Sequence, residues 1–394
     1  MSASKLSSGE VRAALSLAGI FALRMFGLFM IYPVFAVYAR SLPDATPARV
    51  GLALGIYGLA QALFQMPLGV ASDRLGRKPV IAAGLLVFAL GSGMAGLAHS
   101  VAGITLGRFL QGVGAVGSAV LALAADLSRE RQRTKVMAVI GITIGFAFGL
   151  ALVLGPLLNG WMGVPGMFWL TAVLAGAALV LLYAAVPEPE STEVHAETEA
   201  VPAMLLRVLK DPTLLRLDFS ILAQHAILTS TFLSVPLVLQ SAGLPSERAW
   251  QLYLPVLLVS VLVVGPLVMA TERGGHMRGV LLAAVAAVGL AQLGFLVPGG
   301  GLWLPAVALT LFFAAFNFLE AALPALISRQ APKQARGTAM GVYSSAQFLG
   351  IFLGGVLGGL CQERFGLMGG FGFSLVLTGI WLYVAVRQDP PAAG

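Results

Sequence analysis

Twelve runs of apolar residues, each roughly the 20 residues needed to cross a bilayer, leave this chain one solvent in which to fold. They cover approximately 13–38, 48–71, 79–98, 101–126, 136–159, 165–186, 214–240, 247–270, 279–298, 302–327, 338–361 and 367–387. Within such runs most faces are apolar, so length and flanking charge, not periodicity, identify the helices. The prediction is an all-α membrane protein of twelve transmembrane helices.

Composition supports lipid as that solvent. Only 10% of the 394 residues are charged and 58% are hydrophobic, whereas soluble domains carry about 25% charged residues. The net charge of +7 does not indicate nucleic acid, because the cations sit in short loops and form no patch with interleaved aromatics. The single cysteine, Cys361, excludes an intramolecular disulfide and a cysteine-cluster metal site. The first apolar run is too long for a signal-peptide core and no small-residue cleavage site follows it, so no cleaved leader is expected. Gly112-Val-Gly114-Ala-Val-Gly117 fits a dinucleotide-binding spacing. It follows no strand and lies in an apolar helix, which points to close helix packing instead. No metal-ligand cluster, nucleophile elbow or phosphate loop is evident, and no cofactor is expected.

Placing the N-terminus in the cytoplasm assigns eighteen of the 24 Lys and Arg residues to that side. Arg40, Arg49, Arg248 and Arg364 fall outside, and Arg24 and Arg108 lie within spans. The positive-inside rule then puts both termini in the cytoplasm. A hydrophilic segment over 187–212, rich in glutamate and proline, divides the spans six and six and reads as a flexible acidic linker. The expected units are 1–186, the linker 187–212 and 213–394. A faint echo relates the halves: Met137 to Val139 aligns with Met340 to Val342, Gly155 with Gly358 and Leu157 with Leu360, all 203 residues apart. Repeated halves with a site between them are a common transporter plan.

Charge inside or beside the membrane marks function by default. Gly69-Val-Ala-Ser-Asp73-Arg74-Leu-Gly76-Arg77-Lys78 reads as a short charged loop between the second and third spans. Its glycines permit a tight turn. Asp73 is placed to cap the positive end of the eleventh helix, and Asp126, closing the fourth span, is within reach of Arg77. A purely topological role for the basic residues would need neither the aspartate nor the glycines. Glu320 is the one carboxylate well inside a span, while Asp126 and Asp218 lie nearer span ends. A carboxyl in a poorly solvated cavity suits proton uptake and release, and a structural ion pair is the alternative. His225 fits a proton carrier or a helix–helix hydrogen bonder equally. Arg24 and Arg108 keep their protons; they offset Glu320, attract an anionic substrate, or are satisfied by backbone carbonyls. Asn317 and Gln224 are candidate cavity residues, as are Tyr32 and Tyr57, with interhelical hydrogen bonding the plainer role. For Gln61 that plainer role is preferred.

These residues carry a resemblance. Gly69, Asp73, Arg74, Gly76, Arg77 and Lys78 resemble the helix 2–3 motif of the major facilitator superfamily, which by analogy latches the outward-open state. Arg108-Phe-Leu-Gln111-Gly112 resembles its RxxQG motif in helix four, associated with proton coupling. Gly145, Gly149, Gly155-Pro156 and Gly160 are similar to the antiporter motif of helix five, although Ala151 replaces a usual glycine and Asn159 interrupts the terminal pair. Arg24 to Met30, Phe316 to Pro324 and Gly337 to Tyr343 resemble the YajR branch of bacterial transporters, over essentially the whole chain. YajR itself carries a small cytoplasmic domain after the twelfth helix. Seven residues follow Arg387 here, so regulation through such a domain is not expected.

The resemblance implies two pseudo-symmetric six-helix bundles in a bacterial inner membrane, rocking about a central cavity. It implies proton-driven export of small lipophilic compounds by a monomer, with protons, substrate and the bilayer as its partners. A proton symporter or uniporter for a polar metabolite is the alternative. On this reading Glu320 takes a proton as substrate leaves, and an Asp73–Arg77–Asp126 cluster holds the outward-open form and breaks as the halves rock. An enzyme is disfavoured because the in-span polar groups fall on separate helices.

Overall fold

The computed structural model describes residues 7–114, 116–188, 204–274, 277–297 and 299–387. Among them all regular structure is helical. The helices are α1 Ser8–Phe29, α2 Tyr32–Ala39, α3 Pro47–Leu75, α4 Arg77–Leu97, α5 Val101–Val113, α6 Gly117–Asp126 and α7 Arg133–Ala184 in the first half. The second half holds α8 Pro212–Ser241, α9 Trp250–Gly274, α10 Met277–Leu296, α11 Trp303–Gln330, α12 Arg336–Phe365 and α13 Leu367–Val386.

These make twelve spans. α1 and α2 are one span interrupted at Met30 and Ile31, and α5 and α6 another interrupted after Val113. The 52 residues of α7 would reach about 78 Å at 1.5 Å per residue, far beyond a hydrocarbon core of about 30 Å. Gly163, at φ +66°, breaks it into two spans, a conformation only glycine adopts easily. The loop expected between the fifth and sixth spans is therefore this one residue.

The internal repeat is clearer in the backbone than in the sequence. A short 3₁₀ turn at Glu130–Gln132 leads into α7 at Arg133; a second, at Lys333–Ala335, leads into α12 at Arg336, 203 residues later. Gly163 at φ +66° has its counterpart in Gly366 at φ +70°, between α12 and α13, at the same offset.

One face of the bundle carries the start of α1 and the end of α13, and is called the terminal face. Arg12 ties α1 to the end of α7 through the carbonyls of Ala184 and Ala185. Arg216 of α8 and Arg278 of α10 do the same for the carbonyls of Arg387 and Val386. α1 begins earlier than predicted because Ser7 and Glu10 form a reciprocal capping box. Glu10 also holds Arg129 at 2.7 Å. Most of the linker expected over 187–212 lies outside the described residues; 204–208 are helical and Pro212 opens α8.

The charged stretch at 69–78 is not a ten-residue loop. α3 continues through Asp73 and Arg74 to Leu75, and α4 starts at Arg77. The whole connection is Gly76, at φ +94°. A helix leaving the bilayer need not stop where its residues become polar, and the Asp73–Arg77 ion pair spans the corner.

At the face opposite the termini, the halves meet through backbone. A Cβ added to Gly51 or Gly355 would strike the other's carbonyl oxygen, and one added to Gly359 would lie 2.6 Å from Pro47 O. Such contacts let α3 and α12 approach closely. Ala48 N donates to Glu363 Oε2 at 3.0 Å, and Asn159 Nδ2 reaches Glu247 Oε1 at 3.4 Å. α8 is almost wholly buried, whereas α9 turns Leu254, Leu258, Val261 and Leu262 outward, as a lipid-facing helix does.

Candidate functional site

Midway through the bundle an aromatic layer joins the halves. Phe148 of α7 lies 4.9 Å, centroid to centroid, from Phe29. Across the interface it lies 6.1 Å from Phe316 and 6.4 Å from Phe313. Tyr32 meets Phe232 of α8 edge-on at 5.9 Å. Edge-to-face and offset geometries of this kind are favourable beyond the area they bury. The layer and the glycine contacts together close the protein from the opposite face inward.

Glu320 sits one turn beyond Phe316 on α11, toward the terminal face. Its side chain remains 41% exposed, so its carboxylate is not sealed off by protein. Two amides hold it: Gln224 Nε2 donates to Oε2 at 3.0 Å, and Gln347 Nε2 donates to Oε1 at 3.3 Å. His225 Nε2 stands 3.8 Å from Oε2. His225 Nδ1 faces Ile221 O at 3.2 Å, so the hydrogen belongs on Nδ1. Nε2 then accepts from Gln347 at 2.8 Å. One amide of α12 thereby bridges the histidine of α8 and the glutamate of α11.

The structure brings together the predicted Glu320, His225 and Gln224 and adds Gln347, which the sequence reading missed. Its signal was available: Gln347 is a polar residue well inside an apolar span, one turn after Tyr343. Asn317 is not part of the cluster. Its Nδ2 donates to Ser260 Oγ of α9 at 3.3 Å, which makes it a helix–helix hydrogen bonder.

Neither in-span arginine offsets Glu320, contrary to one of the roles expected for them. Both are buried in the first half, 1% exposed, and share Tyr57. Arg24 Nη2 donates to Tyr57 Oη and Gln61 Oε1, each at 2.8 Å, and its guanidinium lies 5.5 Å from the Phe88 ring centre. Arg108 donates to the carbonyls of Ala53 and Leu54 and to Gln111 Oε1, and stacks over Tyr57. Gln111 passes the network on to Ser92 Oγ at 2.8 Å. The Tyr32 hydroxyl lies beside Arg108 and, across the interface, Thr229. Backbone and neutral side chains, not a carboxylate, supply these contacts. Arg24 Nε and Nη1 have no hydrogen-bond partner.

The remaining motif residues serve packing or the corner. A Cβ on Gly112 would lie 2.5 Å from Tyr57 O, and Gly155 seats against the Met30 carbonyl, with buried Pro156 beside it. Gly69 approaches Ser118. At the α3–α4 corner Arg77, 6% exposed, pairs with Asp73, donates to Asp126 Oδ2 at 2.9 Å and to Ser72 Oγ at 2.8 Å. Lys78 binds Val186 O and Glu188, while Arg74 is exposed. Apart from Glu188, at the start of the linker, these partners belong to the first half. The cluster is intact in this conformation, in which the opposite face is closed.

Comparison with known proteins agrees with this architecture. The sequence matches the Major Facilitator Superfamily over residues 17–355 and 257–394. It is 42% identical over 388 residues to the inner membrane transport protein YajR of Escherichia coli, covering 98% of this chain and 86% of that protein. It is 31% identical to an uncharacterised transporter of Buchnera aphidicola subsp. Baizongia pistaciae, covering 98% and 99%. The fold matches a bacterial homologue of the human lysosomal transporter Spinster, in its inward-facing and occupied conformation, with a TM-score of 0.78 at 15% identity, covering 98% of each chain. The chain belongs to the Major Facilitator Superfamily and is a multi-pass membrane transporter, not an enzyme.

Proposed function

We propose that this transporter is a proton antiporter of a bacterial inner membrane that exports small lipophilic compounds by alternating access. The observation that carries the reading is Glu320: a carboxylate at mid-membrane, partly open to water, immediately beyond an aromatic layer that closes the other side. A partly wetted carboxyl between two states of access can load a proton from one side and release it to the other. The aromatic surface of Phe148 and Phe316 offers a lipophilic compound its contact.

The distribution of Lys and Arg supports the terminal face as cytoplasmic. The conformation is then inward-facing, with Glu320 reached from the cytoplasm. The units are two rocking bundles, 1–186 and 213–394, joined by 187–212. Proton and substrate exchange at Glu320, and no cofactor enters; the gradient drives the cycle. Gln224 and Gln347 hold the carboxylate in place, and His225 sets the Gln347 amide. Arg24 and Arg108 brace the first half. The corner built from Gly69, Asp73, Arg74, Gly76, Arg77, Lys78 and Asp126 keeps that half rigid while it moves, and Asp73 at the end of α3 meets the start of α12 in the outward-open form.

Inside-out vesicles with an imposed pH gradient test the direction. Antiport predicts that adding a lipophilic cation such as tetraphenylphosphonium dissipates an inside-acid gradient. Symport predicts the opposite sign, and uniport leaves the gradient unchanged.

A further inference from the structure

The second half holds another carboxyl with no structural occupation. Asp218 lies on α8, seven residues and thus two helical turns before His225. It is 6% exposed, and neither oxygen has a hydrogen-bond partner. Tyr343, one turn before Gln347 on α12, is 4% exposed, and its hydroxyl is equally unpartnered. Gln347 bonds both His225 and Glu320, so Tyr343, one turn before it on α12, and Asp218, two turns before His225 on α8, follow the Glu320 cluster toward the terminal face. Buried polar groups are nearly always satisfied. Here two oxygens and a phenol, reached from two different helices, are left open in one wall of the bundle.

Among the described residues, the neighbouring helices supply no ion-pair partner for Asp218. Arg216 on its own helix binds the Arg387 carbonyl, and His225 is engaged by Gln347. α13 contains no Asp, Glu, Lys, Arg or His from Leu367 to Val386. α11 brings Glu320 and, in its exposed last turn, Arg329; α12 brings Tyr343 and the exposed Arg336 of its first turn. α3 carries its charge at Arg49 and at Asp73–Arg74, with Asp73 held by Arg77.

We propose that Asp218 is a second proton-carrying carboxyl, joined to Glu320 through the Tyr343 hydroxyl. The proposal rests on the reading of Glu320 as the coupling carboxyl. In the relay, the Asp218 O–H bond breaks and its proton passes to Tyr343 Oη, as the phenol's own proton passes to a Glu320 carboxylate oxygen. One O–H bond forms for each that breaks, the phenol ends neutral, and the negative charge moves from Glu320 to Asp218. Neither carboxyl hydrogen-bonds the Tyr343 hydroxyl directly, so in the proposed relay a bridging water carries the proton across each gap. The reverse transfer carries the Glu320 proton toward the terminal face. This route solves a problem of access. A lipophilic compound lodged against Phe148 and Phe316 covers the open side of Glu320, whereas the path through Tyr343 and Asp218 runs behind it. Substrate and proton then do not compete for one doorway.

Infrared difference spectra of the purified full-length protein in lipid nanodiscs, recorded between acidic and alkaline buffer without substrate, test the proposal. The parent should show two carboxyl bands from the membrane interior. Asp218→Asn should remove one, and Glu320→Gln the other. The Glu320 band should titrate over a different pH range in Asp218→Asn than in the parent, and Tyr343→Phe should abolish that difference. An Asp218→Asn spectrum with both bands retained overturns the proposal, as does a Glu320 titration unmoved by Asp218→Asn. If Asp218→Asn fails to fold, Asp218→Glu replaces it and must displace the same band. Loss of no band in Glu320→Gln instead defeats the reading of Glu320, and the Asp218 band still decides the carboxyl proposed here.

Discussion

Gly51 and Gly355 face each other across the interface between the halves so closely that neither has room for a Cβ beside the other's carbonyl oxygen. The contact belongs to the conformation in which the opposite face is closed, so added side-chain volume at this point should disfavour that conformation. Gly355→Val should hold that face open. In a Cys361→Ser background, a cysteine in place of the buried Thr229 should react with a membrane-impermeant thiol reagent at least about tenfold faster when Gly355 is valine. Equal reactivity would show that the two backbones separate without this contact.

Glu363 provides a polar counterpart, accepting from the first free amide of α3. A carboxylate at a helix N-terminus is favoured by the unpaired amides and dipole of that end. Glu363→Gln should therefore loosen the closed state mildly, raising the same labelling rate by roughly two- to five-fold. No change would assign the closed state to the glycines alone.

The Arg77–Asp126 pair is buried and lies within one half, with side chains 5% and 10% exposed. Removing one member of a buried pair costs about 3 kcal/mol or more. Asp126→Asn should lower the melting temperature of the detergent-solubilised protein by several degrees, with Arg77→Lys falling between it and the parent. A mutant as stable as the parent but altered in transport would restore the pair to a gating role.

Asp44 fastens the loop before α3 to the start of α5, accepting from Val101 N at 2.7 Å and Ala102 N at 3.1 Å. Those amides hold its carboxyl below the ordinary aspartate value of 3.8. Because the folded form is the stronger acid, the stabilisation is complete above that ordinary value and fades as pH falls through the lower, folded one. Asp44→Asn should melt below the parent at neutral pH and converge with it in strong acid. A constant difference across that range would mean the carboxylate charge is not what matters.

Gln347 joins His225 to Glu320 with a single amide. A hydrogen bond to a charged group is worth about 1.5–3 kcal/mol. Gln347→Leu should reduce proton-linked turnover by roughly tenfold or more while leaving bound substrate measurable by equilibrium dialysis. Parent-like turnover would reduce Gln347 to a packing residue.

The sequence was most legible where lipid imposes a rule. Span length and the placement of Lys and Arg delivered the helices, and Glu320, His225 and Gln224 stood out because polar groups are rare in hydrocarbon. It was least legible where both sides of a helix are apolar. Phe148 meets Phe29 and Phe316 through a face no more hydrophobic than the one turned to lipid, so its place in the interior layer leaves no periodic trace. Gly355 looks like any other glycine of α12 until α3 is laid against it. The polarity of Asp73 suggests a loop, yet α3 runs on through it to Leu75 because the turn needs only Gly76. For Arg24 and Arg108 the sequence leaves three roles open, and the contacts decide among them: Arg108 meets backbone carbonyls, and Arg24 meets Tyr57 and Gln61.

The measurement that bears most directly on the account compares the parent with Glu320→Gln in proteoliposomes, using a panel of lipophilic cations. Two assays are needed: accumulation driven by a pH gradient, and exchange without one. The parent should accumulate substrate against its gradient, and the mutant should exchange substrate but fail to accumulate it. Accumulation by the mutant at the parent level would contradict the assignment of proton coupling to Glu320.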